Sequence, residues 1–143
     1  MEYKIFANGN EPVIALRLDS GDEMIASILE VGEKENIQAA TIEGIGATDD
    51  VTIGIMDLNA KEYKLTHYTE PFEITAIAGN LSRKDGKAYL HSHINLGGVD
   101  GVVKGGHLDR CVISVTAEIF IRVIDGAIHR TYHDGIGINQ MIF

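Results

Sequence analysis

The sequence predicts an α+β fold in which antiparallel strands form a sandwich-like sheet with one long helix, at about residues 21–35. Three observations carry this expectation. Ser20-Gly21-Asp22-Glu23 reads as an S-x-x-E capping box, and Met24, Ile25, Ile28, Leu29 and Val31 follow it at the spacing of one apolar helix face. In Val112 to Ile124, the residues Ile113, Val115, Ala117, Ile119, Ile121 and Val123 alternate with mostly polar partners, the period of a strand with one buried face. Asp-Gly recurs at 85–86, 100–101, 125–126 and 134–135, and this pair suits tight hairpin turns because both positions tolerate positive φ.

Taken in order, Val13 to Leu18 is the first predicted strand, and the helix follows it. Gly32 or the polar run Glu33 to Asn36 ends the helix. Further strands are predicted at Ile37 to Ile42, Val51 to Met56, Glu62 to His67, Phe72 to Ala78 and Ala88 to Leu96. Between them, Glu43-Gly44-Ile45-Gly46-Ala47 contains a G-x-G but opens no helix, so it fails the context of a dinucleotide loop and reads as a tight turn. The long strand at 112–124 is expected to pair through Asp125-Gly126 with Ala127 to His133. One helix cannot cover both faces of such a sheet, so an uncovered face or edge is expected to be buried between subunits.

The chain has 143 residues, 45% of them apolar and 23% charged, which suits one domain, 1–143, with a real core. It carries a formal charge of −9, with 21 acidic against 12 basic residues. The densest basic spot, Arg83-Lys84 and Lys87, is interrupted by Asp85. Direct DNA binding needs Lys and Arg against phosphate, and this balance argues against it. No apolar run approaches the roughly 20 residues of a membrane helix, and the start, MEYKIFANGN, does not read as a signal peptide. The lone Cys111 has no disulfide partner, and a cytoplasmic location is the expectation.

The chemistry concentrates between Tyr89 and Leu108. His91 and His93 lie two apart on a predicted strand, so their imidazoles leave one face with Cα atoms about 6–7 Å apart. A turn at Asp100-Gly101 returns the chain and brings Gly105-Gly106-His107 back towards them. The two glycines remove bulk and allow unusual backbone angles. Three imidazoles converging on one ion leave a fourth position open, the pattern of a reactive or ligand-accepting site. Zinc is the leading choice of divalent metal, although imidazole suits copper, iron and nickel as well. The competing reading is three solvated or core histidines on a sheet face.

Other polar residues have bland readings at hand. Glu118 is the one candidate for a catalytic group, as a general base or an acceptor for a ligand imidazole, but an ion-paired or solvated strand carboxylate is the simpler account. Arg17 suits a salt bridge better than an anion site. His129 and His133 read as surface residues and Cys111 as a buried packing residue.

These segments together resemble the plants-and-prokaryotes-conserved (PPC) domain, in the form without an AT-hook, over nearly the whole chain. Leu16-Arg17-Leu18 with Gly21-Asp22 and the helix resembles its opening, and Gly44-Ile45-Gly46-Ala47 its glycine turn. Glu70-Pro71-Phe72-Glu73-Ile74-Thr75, with Ala78-Gly79-Asn80-Leu81-Ser82, is similar to its G-R-F-E-I-L segment. His91-x-His93, Gly105-Gly106-His107-Leu108, Cys111 and Thr116-Ala117-Glu118 match its most diagnostic run. The resemblance implies a homotrimer and a metal site at His91, His93 and His107. In plants the domain is fused to AT-hooks that grip DNA. This chain has no R-G-R-P core, and Pro71 stands at the position of the family's arginine. The expected function is therefore a trimeric metal-binding domain with a small-molecule or partner-binding role. The alternatives are DNA association that is weak or runs through partners, a metal-dependent hydrolase or lyase, and an interaction module without chemistry.

Overall fold

A computed structural model describes residues 1–143. Its elements are β1 (Glu2–Phe6), β2 (Val13–Asp19), α1 (Met24–Lys34), β3 (Ala40–Asp57), β4 (Glu62–Tyr68), β5 (Phe72–Lys84), β6 (Lys87–Gly97), β7 (Val103–Val123), β8 (His129–His133) and β9 (Ile138–Ile142). The fold is α+β, as expected, with one helix on a nine-stranded sheet. The sheet is mixed, because β5 and β8 meet in parallel at Arg83 and His129. No helix is long and apolar enough to cross a membrane.

Two long, bent strands organise the molecule. The first half of β3 pairs with the second half of β7, and the second half of β3 pairs with the start of β7, from Ala40↔Val123 to Gly54↔His107. β5 pairs with β3 on one side and β6 on the other, and β6 returns to the start of β7. β3, β5, β6 and β7 thus close a ring of pairings around a single core of 23 buried apolar residues, among them Ile42, Ile77, Ile94, Leu96 and Ile119. β1 and β2 extend the sheet beyond β7, and β4 lies against β3. Buried Met24, Ile28 and Val31 give α1 its apolar face.

The helix begins later than the capping box suggests. Glu23, not Ser20, is the N-cap, and its Oε2 accepts from the Ala26 amide at 2.7 Å. Residues 20–22 are still turning: Gly21 has φ +91°, and Gly21 and Asp22 exchange backbone hydrogen bonds with Ile113 on β7. The other Glu23 oxygen takes the Cys111 amide at 3.1 Å, so one carboxylate ties the helix start to β7. At the far end Asn36 adopts φ +50°, a left-handed residue of the kind that terminates helices.

Two turn assignments are corrected. The Gly44–Ala47 segment is no turn; it lies within β3, and none of its glycines has a positive φ. The glycines are there for clearance, since a Cβ on Gly46 would sit 2.6 Å from Ala117 Cβ and one on Gly44 2.7 Å from the Glu118 carbonyl oxygen. The register shifts beside them, between Gly46 and Thr48, and Val115 is turned outward instead of joining Ile113 and Ala117 in the core. Asp125-Gly126 does not form a hairpin either. After β7 the chain crosses the Gln38–Ala39 backbone, and β8 pairs with β9 and touches β5. Asp85-Gly86, with φ +51° and +78°, does close the β5–β6 hairpin as expected.

Substituting Gly46 by Ala should push β3 and β7 apart, at a cost of about 1–3 kcal/mol. Denaturant unfolding checks this: a midpoint equal to wild type would show that the strands have room the geometry denies.

Candidate metal centre

The β6–β7 hairpin sets the register that brings the histidines together. His93 faces His107 as a direct cross-strand partner, and Gly97 faces Val103 nearer the turn. His91 lies two residues back along β6, on the same face. One ligating atom from each of the three imidazoles can be chosen so that all lie within 4.8 Å of one another. Their ring centroids are 5.3–5.6 Å apart.

The neighbouring glycines do not provide unusual angles, for neither Gly105 nor Gly106 has a positive φ. They permit close approach. A Cβ on Gly105 would stand 2.6 Å from Asn95 Oδ1, and one on Gly106 2.8 Å from the Gly54 carbonyl oxygen. Gly54 in turn is the β3 partner of His107, and it leaves space for the ring of Tyr63. Tyr63 stacks on His107 with centroids 4.3 Å apart and planes 19° apart.

Burial disfavours the charged form of two of these imidazoles. Burial pushes the pKa of His91 down to about 4, and the nearby positive charge of Arg130 adds to the effect. Burial lowers His107 as well. A neutral imidazole is the form that binds metal. Nδ1 of His107 is buried and has no hydrogen-bond partner, which is costly unless something else occupies its lone pair. The donor set therefore fits a divalent ion. Tetrahedral nitrogens about 2.0–2.1 Å from zinc lie about 3.3 Å apart, so the rings would need to close in by about an ångström.

Beside His91 and His107 lies a cavity of about 110 Å³, bounded further by Tyr63, Tyr89 and residues 137–139; His93 does not line it. Sequence reading did not find Tyr63, Tyr89, Arg130 or Asn139 as neighbours of the site. Tyr63 and the β9 residues come from hairpins distant in sequence, and only the glycine at 54 hints that a ring needs room there.

Glu118 is not among these groups. It lies in the second half of β7, exposed, opposite Arg17 on β2 and Ile45 on β3. It borders two open hollows on that face, larger than the histidine cavity but remote from it. Arg17 makes ion pairs with Glu2 at 2.9 Å and Asp19 at 3.0 Å, the structural role anticipated for it. Cys111 is buried, its thiol pushed up to about 11 by desolvation, so it is no ready thiolate at neutral pH. His129 and His133 are exposed on β8.

Residues 6–125 match the Plants and Prokaryotes Conserved (PCC) domain. Among solved structures, a metal-containing protein from Archaeoglobus fulgidus is 34% identical, with 99% of this chain and 97% of that one covered and a TM-score of 0.86. A plant- and prokaryote-conserved (PPC) protein from Pyrococcus horikoshii is 30% identical over 99% of this chain and 96% of that one, with a TM-score of 0.84. A protein from Bacteroides thetaiotaomicron, named as a candidate DNA-binding protein, is 26% identical over 99% and 97%, with a TM-score of 0.89. No curated protein matches the chain.

The depressed His91 pKa has a stability consequence in the metal-free protein. The folded state resists the proton that the unfolded state accepts near pH 6.5, so the contribution is complete above about 6.5 and lost as pH falls towards about 4. Thermal unfolding of metal-free protein across that window should show a falling midpoint, flattened in His91→Asn. An equal slope in both proteins would contradict the burial of a neutral His91.

Proposed function

This chain belongs to the Plants and Prokaryotes Conserved (PCC) domain family, and from that premise we propose that it is a homotrimeric metal-binding protein that holds one divalent ion, zinc in the first instance, on His91, His93 and His107. The observation that carries the reading is the convergence of three imidazoles, their ligating atoms within 4.8 Å of one another, on one hairpin. The metal-containing character of the Archaeoglobus fulgidus relative, 34% identical over nearly the whole chain, supports it. Three protein nitrogens leave a coordination position for a small ligand, and an ion held this way polarises oxygen groups bound to it. The chain's own part is to bury His91 and His107, which disfavours their charged forms, and to stack Tyr63 on His107. A hydrolase or lyase reading gains nothing from Glu118, which lies in the second half of β7, remote from the histidines.

The trimer reading draws on the sheet face away from the helix. Ile45, Val115 and Phe120 are 57%, 69% and 41% exposed there, set among Glu43, Arg17, Glu118 and Arg122. Apolar residues grouped on one face of a sheet mark a surface that another copy can cover.

DNA association is the second reading, favoured by the name of the Bacteroides thetaiotaomicron relative. A charge of −9 opposes direct contact with phosphate, so such association would run through partners.

Elemental analysis of wild type beside His91→Ala/His93→Ala tests the metal reading. One transition-metal ion per chain, absent from the variant, is the expected result. Metal absent from both after incubation with zinc would refute it. Sedimentation at micromolar concentration should give three chains per particle; a monomer would sink the trimer and leave the metal reading standing.

A further inference from the structure

Two arginines are buried in this protein, Arg83 at 5% exposed and Arg130 at 7%. Their surroundings differ. Arg83 donates to Glu33 at 2.9 Å and has its counter-ion. Arg130 has none: Nε donates to Ser82 Oγ at 2.8 Å, one terminal nitrogen to the Asn139 carbonyl at 2.8 Å and the other to Asn80 Oδ1 at 2.7 Å. No ion pair of the chain includes it. A guanidinium removed from water with only neutral partners is a costly arrangement unless an anion comes near.

Its position says where that anion belongs. The guanidinium stacks over Tyr89 at 4.9 Å, and Tyr89 borders the histidine cavity. Asn80, which it grips, is the β5 partner of His91. Asn139, whose carbonyl it holds, lines the same cavity, donates from Nδ2 to Tyr89 Oη at 3.2 Å and leaves Oδ1 buried without a partner. The Tyr89 hydroxyl keeps its own proton free to donate. No Asp or Glu borders the cavity. A divalent ion on the three imidazoles would add its charge to that of Arg130; Asp109 acts on His107 from outside, and no carboxylate lines the cavity itself.

We propose that this cavity is an oxyanion site. A small carboxylate or phosphate takes the open metal position, the Tyr89 hydroxyl and the Asn139 amide contact it from the side, and the Arg130 charge lies behind them. The inference rests on the metal reading and names the ligand class of that site. It also assigns a role to the β8–β9 hairpin. Arg130 and Asn139 both lie on this hairpin, which forms the anion-selective wall of the cavity. The tips of two hairpins fasten this wall, with Lys61 Nζ donating to the Asp134 carbonyl at 2.8 Å. The small cavity favours ligands of few atoms, and the unpaired Asn139 oxygen favours one that carries an O–H, as glycolate and hydrogen phosphate do.

The test uses the full chain loaded with cobalt, whose visible spectrum reports its coordination, titrated separately with glycolate and with inorganic phosphate. A saturable spectral change with either is expected, and which one acts distinguishes a carboxylate site from a phosphate site. Arg130→Gln should weaken the response about tenfold or more, and Arg130→Lys should recover part of it, with cobalt content unchanged. A response within roughly twofold of wild type in folded Arg130→Gln would overturn the proposal, as would silence towards both anions up to about 100 mM. If Arg130→Gln does not fold, Asn139→Ala decides: weaker anion binding supports the site and unchanged binding overturns it. A wild type that takes up no cobalt defeats the metal reading and this inference with it, whereas one that loads cobalt and ignores both anions defeats the inference alone.

Discussion

The register of β6 against β7 is the constraint on which the candidate site depends. Side chains alternate faces along a strand, so a slip of one residue would send His107 to the side opposite His93. Close backbone packing holds the register: Gly105 lies against Ile94 and Asn95, and Gly106 against Gly54, with no room for a Cβ at either. β7 is clamped on its other side by β3, whose Gly54 faces His107. The same strand later supplies the core residues Ile113, Ala117, Ile119 and Ile121. Site and core are thus two stretches of one continuous strand, and the histidine geometry inherits the rigidity of the sheet.

A second consequence concerns charge. The chain as a whole is strongly acidic, yet its acidic groups are spent elsewhere: Glu23 caps the helix, Glu33 holds Arg83, and Asp19 and Asp22 hold the N-terminal amine. None borders the histidine cavity. The cavity is lined by His91, His107, two tyrosines and Asn139, with the buried Arg130 guanidinium over Tyr89, so its local charge does not follow the net charge. Net charge therefore bears on whether the chain meets DNA but says little about which ligand this cavity prefers.

Much of this was legible in the sequence where a pattern is local. The apolar spacing of Met24 to Val31 identified the helix, Asp85-Gly86 identified a hairpin, and H-x-H with G-G-H after a turn identified the residues that converge. What depends on long-range pairing was not legible. Glycines at 44 and 46 look the same whether they bend a chain or let two strands touch, and only the approach of Ala117 decides. Ser20 fits a capping box, but tertiary hydrogen bonds from residues 21 and 22 to Ile113 delay the helix to Glu23. Asp125-Gly126 carries a hairpin signature, yet the following strand finds β9 and β5 because β7 is already paired on both sides, by β2 and β3. β1 carried no signal that sequence reading used, and Tyr63, Tyr89, Arg130 and Asn139 reach the site from four separate strands.

The central claim is that three imidazoles of one hairpin hold a divalent ion and leave one position open. X-ray absorption on the zinc-loaded protein tests it most directly. The account predicts three imidazole nitrogens at about 2.0–2.1 Å with a further light-atom donor, and no sulfur. Fewer than three imidazoles, or a sulfur near about 2.3 Å, would contradict it and point to a different set of ligands.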